Sequence, residues 1–139
     1  MFNVYIPAAE PESDVKEPRR FNGKGRTIVF VDDMETMLKL IPLQLENAGY
    51  KVLTAINGPE ALSFFRSDRT IDLLITDYMM PLMTGRELIR NLRAAKINVP
   101  AIIVTGVDAD IIGDIDAPIL RKPYSQEELL ALCENVLGS

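Results

Sequence analysis

Five positions in this chain could do chemistry together. Asp32 and Asp33 stand side by side after an apolar run, Asp77 closes a second run, Thr105 closes a third, and Lys122 follows a fourth. Three carboxylates brought close repel one another, and ionising all three without help is unfavourable. A hard cation resolves the conflict. Magnesium (Mg2+) takes a few carboxylate oxygens and keeps its remaining positions for water and phosphate oxygens. A lysine adds a compact positive charge suited to a phosphoryl oxygen. A threonine hydroxyl adds one more donor. Such a group suits the movement of a phosphoryl group onto a carboxylate nucleophile.

These residues must be positioned by the elements that precede them. Leu73-Leu74-Ile75 reads as a buried strand over residues 72–77 that delivers Asp77 to a sheet rim, and Pro81 and Gly85 then break the chain. Thr27-Ile-Val-Phe-Val31 is a β-branched and aromatic run of the kind found in parallel strands buried on both faces. Residues 52–55, 101–105 and 117–120 read as three further strands, the last an edge because it holds Pro118. Between them lie helical patterns. Met34, Met37, Leu38, Ile41, Leu45 and Ala48 recur at helical spacing, with Pro42 inside and Gly49 as the stop. Asn57-Gly58-Pro59 opens a second helix. Thr84 with Glu87, and Ser125 with Glu128, have the spacing of capping boxes. Residues 106–116 hold four aspartates and two glycines, so the fourth helix is expected to be short or irregular. Five alternating strand–helix pairs imply an α/β fold with a parallel sheet and helices on both faces.

The chain has 139 residues, enough for one domain with a real core. Residues 1–25 differ from the rest. Asn3 to Pro7 is a short strand-like piece. Residues 8–18 are rich in Pro, Glu, Ser and Asp, without apolar periodicity, and read as a linker. The domain proper is expected over residues 26–139. The net charge is −5, which argues against a nucleic-acid surface, because phosphate contacts need clustered Lys and Arg. No apolar run is long enough to span a membrane, and no signal peptide is visible. A single cysteine, Cys133, excludes an internal disulfide and fits a reducing, cytoplasmic setting. The chain has no histidine, which removes Ser-His-Asp and Cys-His catalysis and most zinc sites.

The set Asp32-Asp33, Asp77-Tyr-Met-Met-Pro-Leu-Met-Thr-Gly85, Thr105-Gly106 and Lys122-Pro123 resembles the receiver domain of two-component response regulators. Each motif alone is weak; in order, and each at a strand end, they are specific. The resemblance runs from about residue 25 to residue 137. It implies a flavodoxin-like five-stranded sheet of order 2-1-3-4-5. It implies that Asp77 is the phospho-acceptor, that Asp33 binds magnesium directly and Asp32 through water, and that the Met79 backbone carbonyl is a further ligand. Thr105 and Lys122 are expected to contact the phosphoryl group. The implied partner is a histidine kinase or a histidine phosphotransfer protein, with no nucleic acid and no membrane contact, and a weak homodimer is compatible with it. Such a domain is a signalling module that catalyses at most its own phosphorylation and dephosphorylation. The family's switch couples Thr105 to an aromatic residue three positions before the lysine; here that position is Ile119. Phe2-Asn-Val-Tyr-Ile-Pro7 resembles the last strand of a histidine-kinase ATP-binding domain, which makes the C-terminal receiver of a hybrid sensor kinase the expected origin, and a free-standing response regulator the alternative.

Other readings weigh less. Adjacent aspartates alone would pass for a helix cap and its solvated neighbour. A non-phosphorylated pseudo-receiver is expected to lack the acid pair or the lysine, and this chain keeps both. A flavin protein of the same fold needs a phosphate-cradling loop after strand one, where Asp-Asp-Met-Glu stands instead. A haloacid-dehalogenase-like phosphatase carries Asp-x-Asp, and here the acids are adjacent. Met79, Met80 and Met83 read as loop packing, and Cys133 as a small core residue.

Overall fold

A computed structural model describes residues 21–67 and 69–138. The strand-like piece at residues 3–7 and the linker at 8–18 lie outside the described residues. The elements run β1 (Thr27–Val31), α1 (Glu35–Asn47), β2 (Lys51–Ala55), α2 (Gly58–Phe65), β3 (Leu73–Asp77), α3 (Gly85–Ala94), β4 (Ala101–Thr105), α4 (Ala109–Ile112), β5 (Ile119–Arg121) and α5 (Gln126–Leu137). The sheet order is β2-β1-β3-β4-β5, and every neighbouring pair is parallel.

The continuous apolar runs explain the layering. Successive side chains of a strand point to opposite faces, so an unbroken run needs cover on both. Ile28 and Phe30 of β1, Leu73 and Ile75 of β3, and Ile102 and Val104 of β4 pack with Ile41 and Leu45 of α1 and Leu129, Leu130 and Cys133 of α5. Val29, Val31, Leu74, Ala101 and Ile103 face the other way, onto Ala61 of α2, Leu88, Ile89 and Leu92 of α3, and Ile112 of α4. Both β3 and β4 are buried along their whole length. Burying one such aliphatic side chain is worth about 1.5–3 kcal/mol, so the two half-cores hold the strands, and with them the strand ends, in fixed register. Cys133 is fully buried, which pushes its thiol up to about 12 and makes it a core residue.

Several expectations shift in detail. β5 begins at Ile119, two residues later than expected. Proline has no N–H for the ladder, so Pro118 contributes only its carbonyl, which accepts from the Ile103 amide at 3.0 Å. Met34 does not join the apolar face of α1; it is the N-cap residue and is exposed. Residues 21–25, expected to precede the domain, dock on it. Phe21 packs against the α1–α5 half-core, and the Gly23 amide donates to the Ala48 carbonyl at 2.7 Å. A Cβ on Gly23 would sit 2.6 Å from the Gly49 carbonyl carbon, so this contact requires glycine. The fourth helix is short, as expected: four residues. Among the described residues no helix is long and apolar enough to cross a membrane.

Both capping boxes are formed. The Thr84 hydroxyl accepts from the Glu87 amide and the Glu87 side chain accepts from the Thr84 amide; Ser125 and Glu128 repeat the arrangement on α5. Each hydroxyl satisfies an amide that the helix itself cannot. Thr84→Ala and Ser125→Ala should each lower stability by about 1 kcal/mol in urea unfolding, and the two losses should add, because the caps sit on different helices.

Candidate functional site

The carboxyl ends of β1, β3, β4 and β5 share one rim because the strands are parallel. Val31 is the register partner of Thr76, so the residues that follow, Asp32 and Asp77, come level on adjacent strands. Both are nearly buried, at 3% and 8% exposure, whereas Asp33 faces solvent. One carboxylate oxygen from each of Asp32, Asp33 and Asp77 lies within 4.8 Å of the others. Neither aspartate of the pair caps α1, whose N-cap residue Met34 makes no side-chain cap bond. Instead Asp32 Oδ1 accepts from the Met34 amide at 2.9 Å, which points the carboxylate across the rim.

Lys122 reaches the group from β5. Its Nζ lies 3.4 Å from Asp77 Oδ1, which also accepts from the Tyr78 amide at 2.9 Å. Its own amide donates to the Thr105 carbonyl at 2.8 Å. Thr105 is buried at the end of β4, and its hydroxyl oxygen accepts from the Val107 amide at 3.0 Å. The loop leaving β3 closes tightly over the acceptor strand. The Gly85 amide donates to the Tyr78 carbonyl at 2.8 Å, and a Cβ on Gly85 would meet the Asp77 carbonyl oxygen at 2.5 Å. Met80 is buried beneath this loop and Met83 packs against the core, while Met79 is 61% exposed. Met79, the residue expected to offer its carbonyl, is in the loop two residues past Asp77. Ile119 does not join the acids; it packs into the half-core shared with α2, α3 and α4.

Burial is the main influence on the acids. It raises the Asp77 carboxyl above the ordinary value of 3.8, opposed by the Lys122 ammonium and reinforced by Asp32. Burial also raises Asp32, opposed by the Met34 amide bond and Lys122, and reinforced by Asp33. Sequence reasoning missed Tyr124. Its phenol is pushed up to about 12, first by burial and then by the charges of Asp32 and Asp77. An aromatic two residues beyond the lysine was the available signal, and Tyr124 packs on the half-core of α1 and α5.

A raised carboxyl pKa means that the folded chain binds a proton more tightly than the unfolded one. Stability is then lost as pH rises from the unfolded value through the raised folded one. Asp32→Asn keeps an oxygen for the Met34 amide and removes the charge. With a chelator present, it should raise the urea midpoint at pH 7, and the gain should vanish at about pH 3, below the ordinary carboxylate range. A gain of equal size at both pH values would contradict the burial cause.

Comparison with known proteins agrees with this geometry. Residues 28–134 match the family described as Response regulator receiver domain. The chain is 32% identical over 118 residues to the alkaline phosphatase synthesis transcriptional regulatory protein PhoP of Bacillus subtilis, covering 81% of this chain and 49% of that protein. It spans about half the length of the curated relatives it matches. A response regulator receiver domain protein from Clostridium thermocellum superposes with a TM-score of 0.74 at 32% identity, over 81% of this chain and 94% of that one. The chemotaxis response regulator CheY4 of Vibrio cholerae does so with a TM-score of 0.74 at 29% identity, over 81% and 99%. On the family match and on these likenesses, the chain belongs to the response regulator receiver domains.

Proposed function

We propose that Asp77 accepts a phosphoryl group from a phosphohistidine of a partner histidine kinase or histidine phosphotransfer protein, in a magnesium-dependent reaction. The observation that carries this reading is the ammonium of Lys122, 3.4 Å from Asp77 Oδ1, beside two further carboxylates within 4.8 Å. An Asp77 carboxylate oxygen attacks phosphorus, the phosphorus–nitrogen bond breaks, and the imidazole leaves with the electron pair. Lys122 offsets charge on the transferred oxygens, and the Thr105 hydroxyl supplies a second donor. The oxygen-only donor set fits a hard cation. Asp32, Asp33 and Asp77, with the Met79 carbonyl, would hold magnesium, which when bound neutralises charge on the acids and the phosphoryl oxygens. On this reading the domain is a signalling module that catalyses at most its own phosphorylation and dephosphorylation.

Acetyl phosphate with magnesium should add one phosphoryl group to the wild type, read by intact mass. Asp77→Asn should gain none, and chelation of magnesium should abolish the gain. An unmodified wild type would support a purely binding role for the same fold.

Hydrolysis of the aspartyl phosphate is expected to be slow. It needs a water held in line with the phosphorus–oxygen bond. Met79, two residues beyond the acceptor, is exposed, Val107, two residues beyond Thr105, is half-buried against the half-core of α2, α3 and α4, and neither side chain can orient water. Their apolar character should slow the step by about one to two orders of magnitude. Decay of phospho-Asp77 should therefore speed up in Met79→Asn and Val107→Glu. Unchanged decay in both would show that these side chains do not set the lifetime.

A further inference from the structure

The loop leaving β4 carries an ion pair whose two ends are both anchored at Thr105. Arg121 Nη1 lies 2.6 Å from Asp108 Oδ1. Arg121 is the register partner of Thr105 across the β4–β5 ladder. Asp108 lies three residues beyond Thr105, and the intervening loop is tied by the Val107 amide bond to the Thr105 hydroxyl. Asp108 is also the N-cap residue of α4, with the extended backbone that a cap requires (φ −68°, ψ 148°). An aspartate there ordinarily accepts an amide from the first helical turn. Here it makes no side-chain cap bond, and its carboxylate pairs with Arg121 instead. Asn57, Thr84 and Ser125 cap helices of 8, 10 and 12 residues; α1 runs for 13 without a side-chain cap bond, and α4, whose aspartate could cap and does not, runs for four.

Building on the phospho-acceptor reading of Asp77, we propose that Asp108 is a two-position switch: Arg121 holds it in the resting chain, and it moves to the cap of α4 when the Thr105 hydroxyl turns toward a phosphoryl group. The Thr105 oxygen now serves the Val107 amide. Turning it toward Asp77 withdraws that acceptor and loosens residues 106 and 107. A Cβ built on Gly106 would meet nothing within 4 Å, so the segment has room to shift. The ion pair is easily exchanged, because its side chains are 58% and 69% exposed and such pairs are weak. The cap that replaces it is of comparable strength. Two nearly balanced arrangements, one of them favoured by the phosphoryl group, are what a population shift requires. The route also needs no aromatic side chain at Ile119.

Three variants separate the pair from the cap. Arg121→Gln releases Asp108; Asp108→Asn loses the ion pair and keeps a capping oxygen; Asp108→Ala loses both. The Ile111 amide already donates to the Asp108 main-chain carbonyl at 3.0 Å, so the reporter is Asp110: its amide hydrogen exchange, on the full chain without phosphodonor, should slow by about two- to five-fold in Arg121→Gln and Asp108→Asn and not in Asp108→Ala. Phosphorylation by acetyl phosphate and magnesium should accelerate by about the same factor in the first two variants only. Exchange in Arg121→Gln equal to wild type, or equal exchange in Asp108→Ala and Asp108→Asn, overturns the switch. Absence of any phosphoryl gain in the wild type overturns the reading of Asp77, and the exchange comparison, made without phosphodonor, judges the partner change of Asp108 independently.

Discussion

Everything at the rim depends on holding like charges together. Asp32 and Asp77 are nearly out of water and close enough to repel, with Asp33 alongside. An isolated carboxylate in such a place would take a proton. What opposes that outcome is spread over the chain: the Lys122 ammonium, the Tyr78 amide on Asp77 and the Met34 amide on Asp32. Two of these three are main-chain groups, fixed by loop conformation rather than by side-chain choice. The fold therefore does more than carry the acids. It supplies part of the charge compensation through the directions in which its strands end.

The same economy appears in the loop from β3 to α3. Gly85 lies against the Asp77 carbonyl, where no Cβ fits, and the Thr76 hydroxyl donates to that carbonyl at 2.9 Å. Met80 is tucked beneath, so the acceptor's backbone is clamped from below and behind while its carboxylate faces the rim. At the far side of this turn Leu82 adopts a left-handed backbone (φ 74°) and is 80% exposed. Such a conformation is unfavourable for a leucine, and the Met83 amide closes directly over it by donating to the Pro81 carbonyl at 2.8 Å.

Much of this was legible in the residues. Unbroken runs such as Thr27-Ile-Val-Phe-Val31 admit few folds, and all the strands but the second ended next to a residue with chemistry, so the sheet and the acid–threonine–lysine group could be read together. The capping boxes were equally local and equally readable. What escaped depended on distance in the chain. Tyr124 is raised first by its burial and then by carboxylates 47 and 92 residues away in sequence. The pairing of Arg121 with Asp108 spans a strand and a helix. The late start of β5 follows from how Pro118 meets Ile103, and the docking of Phe21 from a half-core assembled from strands and helices distant in the chain. Periodicity reports which face is buried; it does not report what lies across from it.

The two margins of the sheet bear on how copies of this chain can meet. A strand at an edge offers unpaired main-chain groups to any neighbour. One margin, β5, is three residues long and follows a proline; the other, β2, is five residues long and opens with an exposed lysine. Short, charged or proline-flanked edges are poor templates for strand addition. Cross-β stacking is thus disfavoured at both ends of the sheet, and reversible association between copies is directed to the helical surfaces, where contacts are made by side chains and can be undone.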